Sequence, residues 1–109
     1  MESRIQQIAR RLRAYDPEKV ILFGAAARGD MDQFSDVDLV IIKRTRKRFL
    51  DRLKEVIQIL QPNYALDVFV YTPAEFTDMQ RNGNPFIEQV LKDGVVLYEK
   101  PKARGQAVA

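Results

Sequence analysis

Apolar positions along this chain follow two rhythms, one helical and one extended, and their order predicts alternating helices and short strands. From Ser3 to Tyr15, Ile5, Ile8, Ala9 and Leu12 share one helical stripe, while Arg4, Arg10, Arg11 and Arg13 lie mostly elsewhere. Ser3 with Gln6 forms a candidate capping box. Asp16-Pro17-Glu18 reads as a turn. Val20 to Phe23 is short and wholly apolar, the mark of a buried strand. Ala25-Ala26-Ala27-Arg28 favours a helical opening that Gly29 stops, and 30–34 is polar. Val37 to Ile42 predicts a central strand. Arg46 to Leu60 predicts a second long helix that buries Phe49, Leu53, Val56, Ile57 and Leu60. Ala65 to Tyr71 is a third strand. Thr72-Pro73-Ala74-Glu75 supplies an N-cap, a first-turn proline and a glutamate at the third position, so a short helix should run to about Gln80. After the break at Asn82-Gly83-Asn84-Pro85, a last helix should bury Phe86, Ile87, Val90 and Leu91 and end at Gly94. Val95 to Glu99 reads as a final strand. The fold class expected is α/β (α+β): a small mixed sheet of three to four strands flanked by helices. Residues 1–100 should form a single domain, and 101–109 a frayed, flexible tail.

Composition narrows the chemistry. The 109 residues contain no cysteine and no histidine, which excludes disulfides, thiolate or imidazole metal sites and histidine-based acid–base catalysis. Catalysis must then rest on carboxylates, a metal and Lys or Arg. The first residues have no apolar signal-peptide core and no apolar run approaches membrane-spanning length, so a cytoplasmic protein with no membrane partner is expected. Between Lys43 and Lys54 lie seven basic residues against one acid, Asp51. A solvated basic face at a loop and helix start is the favoured reading, with a nucleic-acid patch as the lesser one.

The candidate chemistry sits between the first two strands. In a strand, residues i and i+2 face the same way, so Asp36 and Asp38 project together at a strand start. Carboxylates that close repel unless a cation lies between them, and Mg²⁺ takes oxygen ligands while keeping positions for water and phosphates. A solvated acidic strand start is the plain alternative, since Asp-x-Asp alone is common. Upstream, Gly24 lets the backbone approach a ligand closely, and the amides after it suit an anion. Asp67 adds a third acid near the start of an otherwise apolar strand, where a charge needs a partner or solvent. If the second and third strands are parallel neighbours, the three acids converge at one sheet edge. Gly24 meets them if the first strand runs antiparallel to the second. Arg28 suits either a phosphate or a nearby acid. Asp30 and Asp32 are better read as turn residues than as ligands.

These residues resemble the nucleotidyltransferase superfamily typified by DNA polymerase beta, and more closely the minimal nucleotidyltransferases (MNT) that partner HEPN proteins. The family signature is Gly-Ser, ten residues, Asp-x-Asp and a later Asp. Here Gly24-Ala25 is followed by ten residues, then Asp36-Val37-Asp38, with Asp67 later. Ala27-Arg28-Gly29, Ser35 and the segments around Asn84–Ile87 and Val96–Glu99 also match. The resemblance implies a polymerase beta-like fold and transfer of a nucleotidyl group, AMP from ATP, to a hydroxyl of a HEPN toxin, with this chain as antitoxin. It implies two Mg²⁺ ions held by Asp36, Asp38 and Asp67, which are also the catalytic residues, and nucleotide contacts from Gly24, Ala25, Arg28 and Ser35. A homo-oligomer is compatible with it. The departure is Ala25, where the family has serine. Its hydroxyl is a phosphate donor, and a hydrogen bond to a charged group contributes about 1.5–3 kcal/mol. The alternative function is therefore a weak or inactive module that neutralises its partner by contact.

Overall fold

The computed structural model describes residues 2–29 and 36–101. Asp30, Asp32 and Ser35, and the tail from residue 102 that was expected to fray, lie outside the described residues. The elements in order are α1 (Arg4–Arg13), β1 (Lys19–Phe23), β2 (Val37–Ile42), α2 (Phe49–Leu60), β3 (Leu66–Tyr71), α3 (Pro73–Arg81), α4 (Pro85–Asp93) and β4 (Val95–Glu99).

The four strands form one mixed sheet in the order β3-β2-β1-β4. β1 runs antiparallel to both β2 and β4, while β2 and β3 are parallel. This is the mixed arrangement under which the acids and Gly24 could meet. Parallel pairing of β2 and β3 follows from the crossover between them, which is α2. Strand alternation sorts the core into two layers. Val20, Leu22, Leu39, Ile41, Val68 and Val70 pack against Ile8 and Leu12 of α1 and Val56 and Leu60 of α2. Ile21, Val40 and Ile42 pack on the other face against Phe76 of α3 and Ile87 and Val90 of α4. In β2 every residue is buried except Asp38, its one charged group.

Local signals explain the helix ends. Gln6 N–H donates to Ser3 Oγ at 3.1 Å and Ser3 N–H to Gln6 Oε1 at 2.8 Å, completing the capping box. At α3, Glu75 N–H donates to Thr72 Oγ1 at 3.2 Å and Thr72 N–H to Glu75 Oε1 at 2.7 Å. Gly94 ends α4 for a different reason from the one expected. Its φ is −72° rather than left-handed, and glycine is needed for close approach. An added Cβ would lie 2.4 Å from Val90 O and 2.6 Å from Ile21 Cγ2.

Several expectations on α2 and α4 are corrected. α2 begins at Phe49 rather than Arg46. Its contact line is Arg52, Val56 and Leu60, spaced four apart, so Phe49 and Ile57 fall off the line and are 40% and 41% exposed. Phe49 lies instead against the Tyr71 ring, with centroids 5.9 Å apart. Leu91 is likewise 43% exposed, because Ile87 and Val90 carry the α4 contact.

The basic cluster is mostly structural. Arg52 is buried, donating to Lys47 O at 2.8 Å, Val70 O at 3.1 Å and Glu75 Oε1 at 2.7 Å. Lys43 Nζ donates to Tyr15 O and sits 4.5 Å over the Tyr15 ring. Arg44 pairs with Glu18 at 3.3 Å, and Lys47 pairs with Glu55. Four of the seven cations thus bind the β2–α2 connection to its neighbours. Among the described residues, no helix is long and apolar enough to cross a membrane.

Candidate active site

Strand register builds the site. Phe23 pairs with Asp38 across β1 and β2, and Asp38 pairs with Asp67 across β2 and β3. Paired residues in neighbouring strands share a face, so Asp38 and Asp67 stand side by side at one end of the sheet. That face also carries Val40 and Ile42 and is the one α3 and α4 cover further along. Asp36 immediately precedes β2 and is exposed. Gly24 follows Phe23, so the chain leaves β1 directly beside Asp38.

The electrostatics follow from this packing. Burial pushes the Asp38 carboxyl above its ordinary pKa, and the adjacent Asp67 and the charge of Asp36 push it further. Arg28 acts in the opposite direction. The guanidinium therefore acts on the Asp38 carboxylate, from beside the same end of the sheet. Among the described residues, no three acidic side chains close on a single point; the tight pair is Asp38 with Asp67, and Asp36 acts on Asp38 through its charge.

These donors fit a hard divalent cation. They are all carboxylate oxygens, the ligands Mg²⁺ takes, and their mutual repulsion is what a cation relieves. The cradle beside them is shaped by glycine. Gly24 has φ +74°, and an added Cβ would lie 2.4 Å from Asp38 Oδ2. Gly24→Ala should therefore lower the unfolding free energy by about 1–2 kcal/mol from left-handed strain. A urea titration measures this, and an unchanged midpoint would mean that the backbone relaxes without loss.

The segment after Gly24 is not the helix opening the sequence suggested. Residues 24–29 form consecutive hydrogen-bonded turns. Arg28 N–H donates to Gly24 O at 3.3 Å and Ala25 O at 3.1 Å, and Gly29 N–H donates to Ala26 O at 3.3 Å. Gly29, at φ +80°, stops propagation. Of the residues read as nucleotide contacts, Gly24, Ala25 and Arg28 lie in this turn beside the acid pair. Ser35 lies outside the described residues.

One part of the site was not legible beforehand. A cavity of about 190 Å³ opens beside Gly24 and Arg28, with Phe23, Phe86, Gln89 and Asp93 among its lining residues. Phe86 meets Phe23 edge-on at 5.4 Å and Phe69 at 5.2 Å. Gln89 Nε2 donates to Asp93 Oδ2 across one helical turn. In the sequence Gln89 and Asp93 look like ordinary exposed helix positions. The only signal was their spacing of four, on the same side of α4 as Phe86.

With this geometry in place, comparison with known proteins agrees in one direction. The family described as polymerase beta, nucleotidyltransferase matches residues 5–103. A crystal structure from Sulfolobus solfataricus, of a protein assigned as a nucleotidyltransferase, superposes with a TM-score of 0.61 at 21% identity, covering 91% of this chain and 83% of that one. A crystal structure of a toxin–antitoxin with AMP-PNP superposes with a TM-score of 0.53 at 20% identity, covering 88% of this chain and 73% of that one. No curated protein matches this chain in sequence. At these identities the two structures speak for the fold alone, and the family match, which runs from the second residue of α1 past the end of β4, carries the assignment: the chain belongs to the polymerase beta nucleotidyltransferase family.

Proposed function

We propose that this chain is a minimal nucleotidyltransferase that moves AMP from ATP to a hydroxyl of a HEPN toxin partner and so acts as an antitoxin. The observation that carries this reading is the register of Asp38 with Asp67 beside the glycine-shaped turn at Gly24. In it, Asp36, Asp38 and Asp67 would hold Mg²⁺, which when bound neutralises phosphate charge and makes an acceptor hydroxyl more acidic. The residues of the chain do the rest. Arg28 and Gly29 spend their amides inside the turn, so the amides of Ala25, Ala26 and Ala27 are the ones left to hold phosphate oxygens, as at a helix start. Asp67 accepts the acceptor hydroxyl's proton. The acceptor oxygen then bonds to the α-phosphorus, the bond from that phosphorus to the bridging oxygen breaks, and pyrophosphate leaves with the electron pair. A toxin–antitoxin protein of this fold, solved with AMP-PNP, supports the choice of partner and donor.

The second reading is a module that neutralises its partner by contact, and Ala25 favours it. Incubating the chain with Mg²⁺, α-labelled ATP and a HEPN protein from a neighbouring reading frame separates the two. Label on the partner supports transfer. Neutralisation by the Asp36→Asn, Asp38→Asn double variant without label supports the module. Ala25→Ser restores a phosphate donor and should raise transfer by about tenfold or more. An unchanged rate would refute the role given to the missing hydroxyl.

A further inference from the structure

We infer that the cavity between β1 and α4 seats a purine base, read along its edge by Gln89 and Asp93. The inference rests on the transfer reading for what joins the base to the carboxylates, but the seat itself is a separate feature. Gly24 and Arg28 belong both to the cavity wall and to the turn beside Asp38, so the cavity adjoins the place where that turn would hold a nucleotide's phosphates. The volume, about 190 Å³, suits one planar ring system rather than a whole nucleotide. Its wall is aromatic, and Phe86 is fixed edge-on between Phe23 and Phe69, which leaves an apolar surface for a flat ring.

The polar side of the cavity has the chemistry of a base edge. Gln89 uses one amide hydrogen on Asp93 and keeps a second, and Asp93 keeps its other carboxylate oxygen. A donor and an acceptor stand next to each other. An adenine edge offers the matching ring nitrogen and exocyclic amine; pyrimidine edges offer a comparable pair, and the larger purine ring is favoured by the aromatic wall it can cover.

Adenosine, which has no phosphate and needs no metal, tests the seat directly. In ¹H–¹⁵N spectra of the whole chain, adenosine should shift the Gln89 side-chain amide and the 86–93 backbone, with uridine needing about tenfold higher concentration. Asp93→Asn, at an exposed position, should weaken adenosine binding about tenfold, and Phe86→Ala should abolish it. A Gln89 amide unmoved by adenosine, or an Asp93→Asn variant that binds it as tightly as the parent, overturns the inference. A second arm compares Mg²⁺–ATP with Mg²⁺–tripolyphosphate by calorimetry. Equal affinities with transfer intact overturn the base seat and leave the transfer reading standing; adenosine binding without transfer does the reverse.

Discussion

On the proposed transfer reading, Asp38→Asn should lower nucleotidyl transfer by about 10²–10³-fold, the loss expected when a preorganised charge at reacting phosphates is removed. It should also abolish the Mg²⁺ dependence of ATP binding in calorimetry, because the carboxylate next to Asp67 is the most enclosed of the three acids. Transfer at the parent rate would sink the site assignment. The same variant should make the metal-free fold more stable at neutral pH. Burial, Asp67 and Asp36 raise the Asp38 pKa above its ordinary value of 3.8. For a carboxyl raised in the folded state, the stabilising contribution is complete below the unfolded value and is lost as pH rises through the folded one. Asparagine carries no such dependence. The variant's advantage should therefore be absent at low pH, grow as pH passes the raised value, and shrink when Mg²⁺ is added to the parent. Asp38 is partly solvated, so the advantage should stay below about 1 kcal/mol.

Arg52→Ala should cost about 3 kcal/mol of stability, the largest single loss among the polar residues. The guanidinium is buried and ties four segments together: the loop at Lys47, α2 itself, β3 through Val70 O, and α3 through Glu75. Removing it leaves two carbonyls without their donor and opens a gap between α2 and the sheet. Urea unfolding should show a lower midpoint at an unchanged slope. Arg52→Lys should recover only part of the loss, since one ammonium cannot reproduce a planar fork. The Glu75 side chain is 45% exposed, so Glu75→Gln should cost much less. Burial raises the Glu75 pKa, but Arg52 and the Thr72 amide outweigh it and the net shift is downward. Its contribution is therefore present above its ordinary value of 4.5 and is lost as pH falls through the depressed one. Arg52→Ala should remove most of that acid sensitivity. A midpoint unchanged from the parent would show that the cation is dispensable to the core.

Much of the architecture was legible in the residues because its signals are local. Ser3 with Gln6 and Thr72 with Glu75 are capping boxes whose two partners lie three residues apart, and both formed as expected. Val37–Ile42 and Val95–Glu99 have the bounds their patterns suggested. Strand alternation was expected to carry Asp36 and Asp38 together, yet β2 begins at Val37 and leaves Asp36 just outside it; the mixed sheet that would let Asp67 and Gly24 meet Asp38 is the one observed. What failed were judgments about which apolar or charged side chain faces what. Phe49, Ile57 and Leu91 were expected inside because they are apolar and near the right period, yet each helix lies on the sheet along one narrow line. Arg52 was grouped with solvated cations because charge alone gives no sign of burial.

The sequence by itself determined the order of elements and the two capping boxes, since each depends on residues near one another or on a period set by the backbone; it left the strand directions as a condition that the sheet then met. Only the tertiary structure decided that Arg52 is enclosed, that Gly94 is glycine for lack of room beneath Val90 and Ile21, and that α4 leans on β1 so as to leave a cavity lined by Phe23, Phe86, Gln89 and Asp93. These depend on distances between segments far apart in the chain, which are set by how side chains of particular volume fill the space between helix and sheet.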